Sequence, residues 1–199
     1  HRHLSSLMFI ASVPRSFFRK QAYSEALPKD CFTEEEGERL LRFKQVEDQQ
    51  RGASSYFLQR RLARELNVPL PIVIERSELG RPTFSGAPGV EYSVSHDGNH
   101  TIMCWSDEYR CGLDVMSIER KVPLDLKDFS TYFSNAEWTD INSKLPGEDR
   151  LRRFLQFWCV KESYIKALGV GLTIEPQRLE VVANGTVWQL SLDGVAQVG

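Results

Sequence analysis

The 199-residue chain reads as an α+β fold, and three observations lead there. Two segments, Thr33-Glu-Glu-Glu36 and Ser134-Asn-Ala-Glu137, have the Ser/Thr-x-x-Glu form of a capping box, which marks a helix start. Short runs of β-prone residues flank the turn dipeptides Asp97-Gly98 and Asn184-Gly185. The order of strand, helices and strands also occurs twice without a long linker, a weak internal duplication. The boundary falls near Ser106 to Arg110 and gives an N-terminal half, 1–107, and a C-terminal half, 108–199.

Taken in order, Leu7-Met-Phe-Ile-Ala-Ser-Val13 is an apolar run closed by Pro14 and Arg15. It is shorter than the roughly 20 residues of a membrane helix and lacks a secretory cleavage pattern, so it reads as a buried strand. The first capping box starts a helix carrying Leu40, Leu41 and Phe43 inward. A longer helix runs from about Glu47 to Leu66, with Leu58, Leu62 and Leu66 spaced by four and Tyr56 and Phe57 widening the stripe, until Pro69 and Pro71 end it. Ile72-Val-Ile74 reads as a strand and Gly80-Arg-Pro82 as a turn. Tyr92 to Ser95 and Thr101 to Trp105 read as strands around the reversal Asp97-Gly-Asn99, and Arg110 to Val115 as the next strand. The second capping box starts a helix through Trp138 and Ile141, broken at Pro146-Gly147. A helix from about Glu148 to Leu168 follows and stops at Gly169, where a left-handed cap is needed. Leu179 to Val182 and Thr186 to Leu192 flank Asn184-Gly185 as a hairpin.

Lys and Arg number 25 against 27 Asp and Glu, so no global basic field exists for nucleic acid or an anionic membrane, and any anion site is local. Cys31, Cys104, Cys111 and Cys159 form no CxxC pair and no zinc-type spacing, which suits isolated thiols in a reducing compartment and an expected cytoplasmic location. A Walker phosphate-binding loop is missing, which argues against a nucleoside triphosphatase.

Chemistry concentrates in three segments: Tyr92-Ser-Val-Ser-His-Asp-Gly98, Cys111-Gly-Leu-Asp-Val-Met116 and Phe157-Trp-Cys-Val-Lys-Glu-Ser-Tyr-Ile-Lys-Ala-Leu-Gly169. Asp114 and Glu162 stand 48 positions apart and can meet only through the tertiary fold. Two carboxylates and substrate phosphates suit Mg2+, which takes oxygen ligands and keeps several waters. Each segment alone has an ordinary reading: Gly-x-Asp-Val can end a buried strand, and Glu162 with Lys166 can be a solvated i, i+4 pair contributing about 0.2 to 0.5 kcal/mol. Trp158 one turn before Glu162, Lys166 one turn after and the Gly169-Val-Gly171 end favour a site in which a metal ligand and a phosphate-neutralising cation share one helix face. His96 and His100 are spaced for a helical metal pair, but Asp97-Gly98 opposes a helix there.

From about Phe32 to Val182 the chain closely resembles the 4'-phosphopantetheinyl transferases of the fused, surfactin-synthetase-activating type. Their signature combines a Ser-His strand end, a Gly-x-Asp-Val/Ile segment and a Trp-x-x-Lys-Glu helix continuing to Lys and Gly. The resemblance implies a pseudo-dimer of two similar α/β halves with the active site in the cleft between them, a monomer that binds coenzyme A and acts on apo acyl or peptidyl carrier protein domains. Phosphopantetheine would pass to a carrier serine, leaving 3',5'-ADP. It implies catalytic roles for Glu162 and Lys166, and Mg2+ held by Asp114 and Glu162. Coenzyme A contacts are implied for Arg76 and Arg81, in an Arg-x-x-x-Gly-Arg-Pro segment, for Ser95 and His96, and more loosely for Lys44 and Arg51.

Where the bacterial branch has Asp-x-Glu, Met116 stands here; methionine is a poor Mg2+ ligand, so a water is expected in that place. This departure is similar to the eukaryotic aminoadipate-semialdehyde dehydrogenase branch. Phe129, Tyr132 and Phe133 are candidates either for carrier contact or for core packing. Fatty acid synthase, aminoadipate reductase and polyketide carriers all remain open as acceptors. Two other readings are a different magnesium phosphotransferase, and a homologue that binds coenzyme A or a carrier without turnover. Family members continue through further strands after the Asn-Gly hairpin, so a chain running from His1 to Gly199 is expected to be a fragment.

Overall fold

A computed structural model describes residues 9–14, 33–69, 71–119, 125–185 and 187–197. The first sheet has the order β1-β5-β4: β1 (Phe9–Pro14) and β4 (Glu91–Asp97) each pair antiparallel with the central β5 (His100–Ser106). The apolar run at the start of the chain is thus a strand over Phe9–Pro14, while Leu7 and Met8 lie outside the described residues. Gly98 supplies the positive φ of 53° that the β4–β5 reversal requires. His96 and His100 therefore stand on a hairpin and not on a helix.

Both capping boxes form. Thr33 and Glu36 exchange side-chain and backbone bonds at the start of α1 (Glu34–Leu41), as do Ser134 and Glu137 at the start of α3 (Asn135–Ser143). Leu40 is buried, but Leu41 and Phe43, expected inward, are exposed. An eight-residue helix has room for one narrow buried face, Leu41 lies about 100° around it from Leu40, and Phe43 falls past its end. Helix α2 (Val46–Glu65) matches its expected span, and its Leu58 and Leu62 join Leu40, Phe84, Tyr92 and Met103 in a first core. Helix α4 (Glu148–Leu168) also matches and ends on Gly169 at φ 70°, whose N–H bonds the Ile165 and Lys166 carbonyls. It packs Phe154, Leu155 and Phe157 with Phe133, Ile141 and Val181 in a second core.

Two strand expectations need correction. The strand expected at 72–74 is β2 (Ile74–Arg76), and it pairs with β3 (Pro82–Phe84), which turn chemistry at Gly80 and Pro82 concealed. Residues 110–115, expected as a strand, form no regular element. The amides of Leu113, Val115 and Ser117 instead donate to Ser93 Oγ (3.1 Å), Ser95 Oγ (3.3 Å) and Asp97 Oδ2 (2.7 Å) on β4. Donors satisfied by side-chain oxygens leave no backbone ladder to form. Cys104, Cys111 and Cys159 are free thiols, as expected; Cys104 and Cys111 are buried neighbours, with Cys111 Sγ donating to the Cys104 carbonyl at 3.8 Å, and Cys31 is outside the described residues.

The remaining sheet is β6 (Leu179–Asn184), β7 (Val187–Leu192) and β8 (Val195–Gln197) in that order. Gly185, at φ 61°, turns the β6–β7 hairpin, and Thr186 lies outside the described residues. A 3-10 turn, Leu126–Tyr132, capped by Asp125, precedes α3 and was not foreseen. Among the described residues no helix is long and apolar enough to cross a membrane.

Candidate active site

Asp114, Ser95 and Lys166 meet in one cluster. The Ser95 hydroxyl donates to Asp114 Oδ1 at 2.8 Å, and Lys166 Nζ donates to the same oxygen at 2.6 Å and to Ser95 Oγ at 3.1 Å. Asp114 is held there because its segment is bonded to β4, while Lys166 arrives on the last turn of α4. Gly112 makes that approach possible: a Cβ on it would run into the Ser163 carbonyl oxygen and the Ala167 amide nitrogen of α4.

Glu162, one turn before Lys166, has its pKa raised by burial first and then by the negative charge of Asp114, with Lys166 opposing. The two carboxylates therefore feel each other, and Asp114 Oδ2 is buried without a hydrogen-bond partner. A buried lone carboxylate oxygen beside a second carboxylate that resists ionisation is a donor set suited to a hard divalent cation. Among the described residues no group of three or more His, Cys, Asp or Glu side chains is arranged to hold a metal ion. Met116 packs against the second core. Cys159, also on α4, has its thiol pushed up to about 12 by burial and by the Asp114 charge.

Glu162 and Lys166 line a cavity of about 660 Å³ that also takes in His96, Arg76 and Arg81 from the first half of the chain. The His96 imidazole is held below its usual value by desolvation, then by the Arg51 and Lys166 cations. Arg76 is exposed, and its guanidinium donates to the Gly80 carbonyl at 3.1 Å. Arg81 is spent differently. Its guanidinium donates to the carbonyls of Lys166, Ala167 (2.9 Å) and Cys111 (3.4 Å) and pairs with Glu91, tying the end of α4 to β4.

Not every expected contact residue faces this space. Ser95 is buried and its hydroxyl is committed to Asp114, Lys166 and the Val115 amide. Lys44 is exposed in the turn between α1 and α2, and neither it nor Arg51 is among the lining residues. Arg51 bonds the Gly98 carbonyl at 3.3 Å and pairs with Asp48, bracing the β4–β5 turn from α2. Arg39, which sequence reading passed over, does line the cavity; its place in the last turn of α1 was the available signal. Phe133 is a core residue, and the half-buried Phe129 and Tyr132 rings meet Trp158 edge-on and tilted, with centroids 5.5 and 5.4 Å away.

Comparison with known proteins accounts for both stretches that build this cavity. Residues 110–191 match the family model described as the 4'-phosphopantetheinyl transferase superfamily, and residues 20–107 match that described as 4'-phosphopantetheinyl transferase, N-terminal. The chain belongs to the 4'-phosphopantetheinyl transferase superfamily.

It is 32% identical over 157 residues to the L-aminoadipate-semialdehyde dehydrogenase-phosphopantetheinyl transferase of Rattus norvegicus, covering 73% of this chain and 51% of the relative. A phosphopantetheinyl transferase of Thraustochytrium sp. is 31% identical over 81% of this chain and 61% of its own length. The 4'-phosphopantetheinyl transferase Sfp of Bacillus subtilis is 31% identical over 49% of this chain and 41% of its own length. The chain spans about half the length of the curated animal relatives it matches. Within this phosphopantetheinyl transferase framework the mixed helix and sheet architecture is the expected one, and the Asp114, Glu162 and Lys166 motifs all fall inside the matched residues 110–191.

Proposed function

We propose that this phosphopantetheinyl transferase moves the phosphopantetheine group of coenzyme A to a serine of an apo carrier protein domain, and that it does so in the cleft between two similar α/β halves that meet near residue 107. The carrying observation is the convergence of Asp114, Ser95 and Lys166 beside a Glu162 whose ionisation is disfavoured. A carboxylate with a raised pKa is better matched to accept a hydroxyl proton near neutrality than an ordinary one. Glu162 takes the proton of the carrier serine, the serine oxygen attacks the β-phosphorus, and 3',5'-ADP leaves. Lys166 stands where negative charge grows on the phosphates. Mg2+, held by Asp114 and Glu162, would supply further neutralisation of that charge.

His96, Arg76 and Arg39, which line the cavity, are the candidates for the anionic groups of coenzyme A. Ser95 orients Asp114 and Lys166, Arg81 holds the cleft wall, and Arg51 braces the β4–β5 turn next to His96. The free thiols at Cys104, Cys111 and Cys159 suit a reducing cytoplasm. Incubation with coenzyme A, Mg2+ and an apo carrier protein tests the reading by mass spectrometry of the carrier. Addition of a phosphopantetheine group is the expected result; binding of coenzyme A with no change in carrier mass would reduce the protein to a binding homologue.

A further inference from the structure

Lys161 precedes Glu162 in the signature helix, yet its side chain turns into the second core, where it is 3% exposed. Its Nζ donates to Glu137 Oε2 at 2.6 Å, to the Tyr132 carbonyl at 3.0 Å and to the Pro176 carbonyl at 3.0 Å, which uses all the donors an ammonium has. The Phe133 ring lies 4.9 Å away. Glu137, 1% exposed, is equally committed: Oε2 also accepts from the Ser134 amide (2.7 Å) and Oε1 from the Val181 amide (2.8 Å). One ion pair thus ties α4 to the Leu126–Tyr132 turn, the start of α3, the Pro176–Arg178 turn and β6.

A buried ion pair is a weak source of stability, because desolvation offsets most of the Coulombic gain and an apolar pair of equal volume packs as well. What apolar packing does not provide is direction. Three bonds from one tetrahedral donor fix both the rotation of α4 about its axis and its position along it. Glu162 and Lys166 are one and five residues beyond Lys161, so their orientation follows from that setting. With side chains reaching about 5 to 6 Å from a helix axis, a 20° turn carries their heads by roughly 2 Å. Displacements near 1 Å at a reacting centre cost on the order of a hundredfold in rate.

We propose that Glu137 and Lys161 are positioning residues that set α4 so that Glu162 and Lys166 face the cleft. The proposal rests on the transfer reading above, and its test separates the two. In the double variant Glu137→Gln/Lys161→Met no charge is left unpaired. The expected result is a melting temperature within a few degrees of the parent, 3',5'-ADP affinity within about twofold, kcat lowered at least tenfold, and Mn2+ binding, read by electron paramagnetic resonance without substrates, weakened at least fivefold. Lys161→Arg keeps the charge and the fold while its planar fork cannot reproduce the three-point arrangement, and it should show the same loss of kcat with little change in KM. Parent-like kcat and Mn2+ affinity in either folded variant would overturn the positioning role. A parent protein that binds Mn2+ but transfers nothing would retire the transfer reading alone and leave the Mn2+ comparison to decide the pair.

Discussion

Glu162 carries its charge where the fold disfavours it, and the consequence can be measured. Its folded-state pKa is raised, so it binds its proton more tightly folded than unfolded, and the stability it lends at low pH is lost as pH climbs through the raised value. Glu162→Gln in metal-free protein should therefore raise the melting temperature at pH 7, the gain fading near about pH 4, where the unfolded carboxylate also takes up its proton. The same change should lower transfer by about 10² to 10⁴. His96 has the opposite sign: a pKa held low by desolvation and by Arg51 should rise when an anionic nucleotide enters, which ring-proton chemical shifts would follow during a 3',5'-ADP titration. Gly112→Ala would drive a methyl into α4 backbone that cannot yield, costing about 3 kcal/mol, or about 6 to 12 °C of melting temperature by thermal scan. The acidic pair and Lys166 were readable in the chain because their motifs are local and chemically unusual. The work done by Ser95 was not, since it depends on a neighbour 19 positions away that only the fold supplies.

Among the elements, helices were read best. Capping boxes at Thr33 and Ser134 and the closing glycine at Gly169 are local signals, and each is realised within a turn of chain. Strands fared worse, because whether an extended run joins a ladder is decided by its neighbour. Residues 110–115 have strand-like composition but meet the Ser93 and Ser95 hydroxyls of β4, and β3 hides behind Pro82. Arg81 shows how an element end can be held by a residue that reads as a ligand. Arg81→Met should release the final carbonyls of α4 and leave Glu91 unpaired, costing about 1.5 to 3 kcal/mol, with faster hydrogen exchange at the Gly169 amide as the local readout.

For the molecule as a whole, one core gathers around α2 and another around α4, and the cavity lined by Glu162, Lys166 and His96 takes Leu40, Tyr56 and Tyr92 of the first core into its wall. The helices on both sides of residue 107 are legible in the sequence, whereas the cavity is not, because its walls come from segments whose meeting depends on Gly112 and Arg81. A ligand bridging those walls stabilises only the folded state: 3',5'-ADP at a hundred times its Kd should add about 2.7 kcal/mol, or about 5 to 11 °C in a thermal shift assay. Asp114→Ala should abolish any further shift produced by Mg2+. The bonds that the Leu113, Val115 and Ser117 amides donate to Ser93, Ser95 and Asp97 keep a constant offset of twenty positions, so a seam of side chains joins the cavity-forming stretches. Backbone stitching cannot be edited one residue at a time; this stitching can. Single substitutions along β4 would loosen or tighten the joint by separate, graded steps, a means of adjustment that a ladder of backbone bonds does not offer natural variation.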